Sequence, residues 1–300
     1  MEEATILYSS LSFLLLLFCL IFLFQSKNHP KNLPPSPPNS LPIIGHLHLL
    51  KPPIHRFYQT LSQKYGPIFS LKLGSRLLVV VSSSTLAEEC FTKNDIVLAN
   101  RPKLIIGKHL GYNYTTVGAA PYGDHWRNLR RIGAIEIFSS SRLNTFTSVR
   151  KDEIRRLLLK LSRDCHQGDQ FAKVEMKSML SGLTFNNIMR MVAGKRYYGD
   201  EVTNEAEARE YKELITEAFK NGGAANPGDF LPILNWFGQG YEKKVKKLGK
   251  RMDGFLQKLI DEHRRQENNN NSMIDHLLSL QKSEPHYYTD EIIKGFILVS

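Results

Sequence analysis

Tyr122-Gly123-Asp124-His125-Trp126-Arg127-Asn128-Leu129-Arg130-Arg131 is the densest chemical pattern in the chain. The residues from Trp126 to Phe138 read as a helix. Trp126 and Arg130 are four positions apart, so they share one helix face. An indole N–H beside a guanidinium makes a donor pair for a carboxylate, and the planar fork of arginine suits bidentate carboxylate binding. Taken alone, the same spacing also describes a half-buried tryptophan packed beside a solvated arginine.

Upstream, Ile96 to Tyr122 has no steady period and carries Gly107, Gly111, Gly118 and Pro121. It reads as a long irregular loop, and such loops are usually functional or disordered. Before it, His55 to Lys64 reads as a short helix ending at Gly66-Pro67. Ile68–Leu73 and Leu77–Val81 are β-rich runs flanking Gly74-Ser75, a hairpin candidate. Thr85 to Phe91 reads as another short helix.

Downstream, Val149–Cys165 and Val174–Val192 read as helices, and Phe171–Lys173 is a candidate short strand. Asn221 to Pro232, rich in Gly, Pro and Asn, breaks the chain. Tyr241, Val245, Leu248, Met252, Phe255 and Leu259 then step by four and three, the stripe of a long amphipathic helix. After a polar break at Asn268–Asn271 comes a short helix, Ile274–Leu280. Thr289-Asp290-Glu291 supplies a capping hydroxyl and first-turn acids. The residues that follow, Ile292 to Val299, are apolar nearly all round, as expected of a buried core helix. The chain ends at Ser300 within that helix, which leads us to expect a truncated chain. The expected fold is mainly α with a small β-sheet (α+β).

At the N-terminus, Ile6 to Phe24 reads ILYSSLSFLLLLFCLIFLF, 19 residues without a charge. As a helix it would be about 30 Å long, the thickness of a bilayer core. Glu2 and Glu3 precede it and Lys27, His29 and Lys31 follow, so the positive-inside rule puts the following chain in the cytosol. The alternative, a cleaved signal peptide, wants a basic start and a small-residue cleavage site. Here the start is acidic, and Phe22-Leu23-Phe24-Gln25 offers no such site. Lys31 to Pro42, KNLPPSPPNSLP, reads as a stiff extended spacer between membrane and domain. The division is residues 1–27 as anchor, 28–42 as hinge and 43–300 as the main domain.

Composition narrows the partners. The chain has 300 residues, 42% apolar and 23% charged, ordinary for a globular protein. Forty Lys+Arg against 29 Asp+Glu gives +11, which suits nucleic acid, an anionic membrane or an acidic protein. No DNA- or RNA-binding motif is apparent, and the anchor argues against nucleic acid. Cys19, Cys90 and Cys165 show no paired spacing, the usage of a reduced compartment. His46 and His48 have no cysteine or acidic companions, and read as loop histidines and not a metal site.

The ordered set of anchor, proline hinge, Leu41-Pro42-Ile43-Ile44-Gly45-His46, Lys64-Tyr65-Gly66-Pro67-Ile68, Asn100-Arg101-Pro102 and WRNLRR resembles a microsomal plant cytochrome P-450, a haem-thiolate monooxygenase. Phe185-Asn186-Asn187-Ile188-Met189-Arg190, Gly194-Lys195-Arg196-Tyr197-Tyr198-Gly199 and Tyr288-Thr289-Asp290-Glu291-Ile292-Ile293-Lys294-Gly295 are similar to the plant family that contains isoflavone 2′-hydroxylases. The resemblance covers essentially the whole chain. It implies the N-terminal portion of the cytochrome P-450 fold behind a single transmembrane helix, in the endoplasmic reticulum membrane with the domain facing the cytosol.

The resemblance also implies haem b, an NADPH–cytochrome reductase, a lipid bilayer and a small apolar or phenolic substrate as partners. Trp126 and Arg130 would hydrogen-bond a haem propionate. The loop from Leu104 to Pro121 would cover the distal side of the haem, with Ile105, Ile106, Tyr112, Tyr114 and Val117 as candidate substrate contacts. The segment around Phe219 to Phe237 would add a second wall. The basic residues Arg127, Arg131, Arg142, Arg150, Lys151, Arg155 and Arg156 would lie on the reductase-docking face, whereas the Lys243–Arg251 cluster reads as a solvated helix face. By that resemblance the family's E-x-x-R pair and F-x-x-G-x-R-x-C element are expected beyond Ser300, and neither Cys90 nor Cys165 has the glycine-rich context of the latter. No catalytic residue and no iron ligand is therefore named. The leading reading is an enzyme; the alternatives are a truncated non-catalytic remnant and an anchored binding protein.

A cytosolic domain leaves the sequons Asn113-Tyr114-Thr115 and Asn270-Asn271-Ser272 unmodified. Made in a microsomal system, the chain is expected to keep its gel mobility after glycosidase treatment. A glycan on either asparagine would overturn the topology.

Overall fold

The β-rich apolar runs on both sides of Gly74-Ser75 favour a hairpin, because pairing satisfies their backbones while one face is buried. In the computed structural model β1 (Ile68–Leu73) and β2 (Arg76–Val81) pair antiparallel, from Ile68 opposite Val81 to Leu73 opposite Arg76. Gly74 has φ +58°, and a Cβ there would come within 2.2 Å of the Phe230 carbonyl oxygen, so the turn requires glycine.

The structure describes residues 8–10, 12–13, 15–16, 32–166, 173–199, 202, 204–222, 226–234, 239–265 and 272–299. Most of the apolar run Ile6–Phe24 lies outside them, as do Phe171 and Ala172 of the candidate strand and the break Asn268–Asn271. Among the described residues no helix is long and apolar enough to cross a membrane. The chain divides into two units, residues 1–98 with 226–238, and residues 99–225 with 239–300.

In the first unit α1 (Ile54–Tyr65) packs on the hairpin, α2 (Ser84–Phe91) starts at the Ser83 cap, and α3 (Asp95–Leu98) follows. Leu61, Phe69, Leu71 and Leu73 form its core. The proline stretch is not a free spacer along its length. Pro34 and Pro35 offer carbonyls to the Ser70 hydroxyl (2.9 Å) and N–H (2.8 Å), which dock this part of the hinge on β1. Proline lacks an N–H but keeps its acceptor, so it can satisfy a strand edge without extending the sheet. Buried His46 completes the seam. Its Nδ1 accepts from the Lys72 N–H (2.9 Å), so its Nε2 carries the proton and donates to the Pro37 carbonyl (3.0 Å). Desolvation lowers its pKa, in keeping with that neutral form.

The second unit is all helix and loop among its described residues. Its elements are α4 (Ile105–His109), α5 (Asp124–Ile132), α6 (Ser140–Thr145), α7 (Thr147–His166), α8 (Met176–Ala193), α9 (Glu205–Gly222), α10 (Gln239–Arg265), α11 (Met273–Ser283) and α12 (Asp290–Val299). Three expectations change. The stretch expected to be loop from Ile96 to Tyr122 holds α4 as well as the end of α3. Helix α5 starts two residues before Trp126, where the Asp124 carboxylate pairs with Arg127, and widens into a π-turn at Gly133–Ile137. Helix α9 has no counterpart in the reading above, although Ala208, Tyr211 and Leu214 recur at helical spacing and are buried.

The core forms where the apolar stripe of α10 meets its neighbours. Val245, Leu248 and Ile260 are fully buried, as are Ile274 and Leu277 of α11 and Ile293 of α12. Helix α11 begins with a capping box in which Ser272 and Asp275 bind each other's backbone N–H. Helix α4 crosses α10 so closely that a Cβ on Gly249 would lie 2.5 Å from the His109 carbonyl oxygen.

Asp290, at the start of α12, receives Arg264 from α10 on both oxygens, Gln281 (2.9 Å) from α11 and Gln257 (3.1 Å) from α10. The Arg264 hydrogen bonds hold its carboxyl well below the ordinary value of 3.8. A depressed carboxyl contributes stability that is complete above its unfolded pKa and is lost as pH falls through its folded pKa. Urea midpoints measured against pH are therefore expected to drop more steeply below pH 3.8 in the wild type than in Asp290→Asn. The variant should be less stable at pH 7 and converge on the wild type in acid; parallel curves would refute this role.

Candidate functional site

Asn186, in the middle of α8, is 3% exposed and polar, so it must find partners inside. It finds four. Its Oδ1 accepts from the N–H groups of Tyr197 (3.1 Å) and Tyr198 (3.0 Å), and its Nδ2 donates to the Tyr198 carbonyl (2.9 Å) and to Glu153 (3.3 Å). Glu153, on α7, also takes Arg190 Nη1 at 2.8 Å and lies 2.7 Å from Arg196 Nε. The clasp ties the turn after α8 back onto that helix. Phe185, next to Asn186, then stacks on Tyr198 with centroids 5.7 Å apart.

Phe185 forms one wall of a cavity of about 600 Å³ between α8, α9, α10 and α12. Ile215 and Phe219 come from α9, Met252 and Phe255 from α10, and Leu298 from α12. The aromatic rings meet edge to face, Phe185 with Tyr211 at 6.3 Å and with Phe219 at 6.2 Å. Among the residues lining the cavity, Tyr211 alone carries a hydrogen-bonding hydroxyl, amide or charge. The size and the apolar lining suit a small organic ligand.

The five predicted contact residues lie elsewhere. Ile105 is buried in the core, and Ile106 abuts the cavity from behind, its Cδ1 3.5 Å from where a Cβ on Gly222 would be. Tyr112 gives its hydroxyl to Asp253 (3.0 Å) on α10, which also binds buried Lys294 of α12 at 2.5 Å. Burial, and then Asp253, push the Tyr112 phenol well above its usual value. Tyr114 packs on Gly107, and Val117 faces Leu129 and Phe296 across a narrow crevice. Tyr112, Asn113 and Tyr114 all have positive φ, a left-handed turn held by these contacts and by Thr115 donating to Glu291 (3.1 Å). The expected covering loop is thus fastened to α10 and α12. Of the segment expected to add a second wall, Phe219 lines this cavity; Phe237 lies outside the described residues.

The expected donor pair is half available. The Arg130 guanidinium lies 5.7 Å from the centre of the Trp126 ring, so the two do share a face. Arg130 is exposed and has no carboxylate partner among the described residues. The Trp126 N–H donates to the Val117 carbonyl (3.1 Å), which leaves the guanidinium as the free donor. That donor fits an acidic arm of a cofactor, and Trp126 fixes its direction. Cys90 is half-buried on α2 and Cys165 is exposed on α7; both are free thiols. Several cations of the basic region have local partners: Arg127 binds Asp124, Arg156 binds Asp152 (2.9 Å) and Arg150 binds the Leu143 carbonyl (2.8 Å).

Sequence reasoning missed the cavity wall. Phe185 and Asn186 stood in a quoted motif with no physical role, and Tyr211 stood in an unread helix. The three-and-four spacing of Ala208, Tyr211, Ile215 and Ala218 was the available signal.

Residues 34–299 match the family model described as cytochrome P450. Among curated proteins, cytochrome P450 81Q32 of Catharanthus roseus is 57% identical over 300 residues, 100% of this chain and 59% of that protein. Isoflavone 3'-hydroxylase of Medicago truncatula is 53% identical over 97% of this chain and 59% of its own length. Isoflavone 2'-hydroxylase of Glycyrrhiza echinata is 48% identical over 99% of this chain and 60% of its own. The chain spans about three fifths of the length of these relatives.

Replacing Asn186 with alanine strands two buried N–H groups and one carbonyl. The expected cost is about 3 kcal/mol in urea unfolding. Asn187→Ala next to it is expected to cost under about 1 kcal/mol. Equal losses would show that the clasp has no special weight.

Proposed function

The chain belongs to the cytochrome P450 family, and from that premise we propose that it is the N-terminal part of a membrane-anchored monooxygenase that hydroxylates an isoflavonoid-like phenolic compound. The observation that carries the substrate reading is the apolar, aromatic-walled cavity of 600 Å³. Flat ring systems gain edge-to-face and stacking contacts from such walls beyond the area they bury. Two relatives named as isoflavone hydroxylases favour the same chemistry.

Haem, when bound, supplies the activation of O2 with electrons delivered by an NADPH-dependent reductase. The chain's own contribution is to hold and to shield. Arg130, lying over Trp126, is proposed to bind a propionate. The fastened loop carrying Ile105, Ile106, Tyr112, Tyr114 and Val117 is proposed to cover the distal side. The basic face around Arg131, Lys151 and Arg155 is proposed to speed the encounter with an acidic reductase. The uncharged run Ile6–Phe24, acidic before and basic after, supports a single-pass anchor in the endoplasmic reticulum with the domain in the cytosol. The alternative reading is a non-catalytic remnant or an anchored binding protein.

Reading the transcript past the codon for Ser300 separates the two. A frame that runs on into a cysteine in the F-x-x-G-x-R-x-C context supports the monooxygenase, whereas an immediate stop makes the chain a remnant. In protein that carries the cysteine, a ferrous–CO band typical of thiolate haem and conversion of isoflavone to a hydroxylated product are expected. Arg130→Gln should lower the haem retained per chain about ten-fold, the loss of one charge-assisted hydrogen bond. Unchanged retention would remove Arg130 from the cofactor site.

A further inference from the structure

Tyr211 stands in the cavity wall as an exception to it. Its ring is 5% exposed, and its hydroxyl, which has no hydrogen-bond partner among the described residues, is not one of the fully enclosed unpartnered atoms, so it reaches open space in the wall of the cavity. Buried polar groups without partners are uncommon, because desolvation is then uncompensated. Two neighbours show the contrast. The Tyr197 hydroxyl donates to Glu207 at 2.5 Å and the Tyr112 hydroxyl to Asp253 at 3.0 Å. The Tyr211 ring is held from several sides, by Tyr197 at 4.6 Å, Phe255 at 5.8 Å and Phe185 at 6.3 Å between centroids. A ring so packed keeps its direction, and its one polar atom is pre-organised.

We infer that the Tyr211 hydroxyl is the specificity-determining polar contact of the cavity, pairing with one oxygen of a flat and otherwise apolar aromatic ligand. The inference deepens the proposed function and rests on its reading of the cavity as the substrate pocket. Burial raises the phenol well above its usual value, so the hydroxyl stays protonated and donates to a carbonyl or phenolic oxygen. A ligand that lacks an oxygen at that place would cover the hydroxyl without pairing it. Discrimination between ligands of one shape then comes from this single bond, because the rest of the wall offers area without direction.

Two probes of similar shape test it, isoflavone, which has a ring carbonyl, and phenylnaphthalene, which has no oxygen. Binding is measured by equilibrium dialysis of the full chain in lipid nanodiscs, with empty nanodiscs subtracted. Tyr211→Phe is expected to weaken isoflavone about five-fold and leave phenylnaphthalene unchanged. Ala218→Phe, which puts a ring into the cavity, is expected to weaken both probes. If Ala218→Phe weakens both but Tyr211→Phe changes neither, or changes both equally, the cavity reading stands and the role of Tyr211 falls. If Ala218→Phe leaves both unchanged, or the wild type binds neither probe, the cavity reading itself fails and takes the Tyr211 role with it.

Discussion

Asn186 depends on being fully satisfied, and much of the second unit depends on Asn186. An amide buried in the middle of a helix is tolerable only if all its groups are paired. Here the partners are backbone groups of Tyr197 and Tyr198, a carboxylate on α7 and, through that carboxylate, Arg190 and Arg196. A turn of chain that would otherwise leave α8 and drift is held against it. The two tyrosines it fixes are the floor on which Phe185 and Tyr211 stack.

The cavity follows from what those rings cannot do. Along the apolar stripe of α10, branched aliphatics close to full burial at Val245, Leu248 and Ile260. On the side toward α8 and α9 the contacts are between rings, tilted or edge to face at centroid separations from 5.8 to 6.3 Å. Rigid planes at such angles fill space less completely than aliphatic side chains that interdigitate. The same stripe of α10 therefore belongs to a dense core at Val245 and Leu248 and to the wall of a pocket at Met252 and Phe255.

Charge is used in two different ways. Asp290 and Glu153 gather arginines from other helices, and Asp253 gathers Lys294 and Tyr112, so these groups fix how helices and loop meet. Arg130 has no such partner among the described residues and lies over an indole ring. An arginine without a carboxylate, oriented by an aromatic face, is a binding group more than a brace. Several cations in the region around it are paired locally with carboxylates, so the net +11 is carried by other basic residues.

The sequence by itself determined the elements whose signal is periodic or punctuated. The hairpin at Gly74-Ser75, the stripe of α10, the cap at Thr289 and the shared face of Trp126 and Arg130 all follow from local spacing, and the family was legible in the order of its motifs. Tertiary structure alone decided the rest. The fastening of the loop through Tyr112 joins residues 141 positions apart, and that of Thr115 to Glu291 joins residues 176 apart. The docking of Pro34 and Pro35 on β1 depends on which carbonyls face a strand edge. The cavity needs four helices to converge, and no window of sequence contains them. Local periodicity reports which face of a helix is apolar; only packing decides whether that face is filled by another side chain or left open to a ligand.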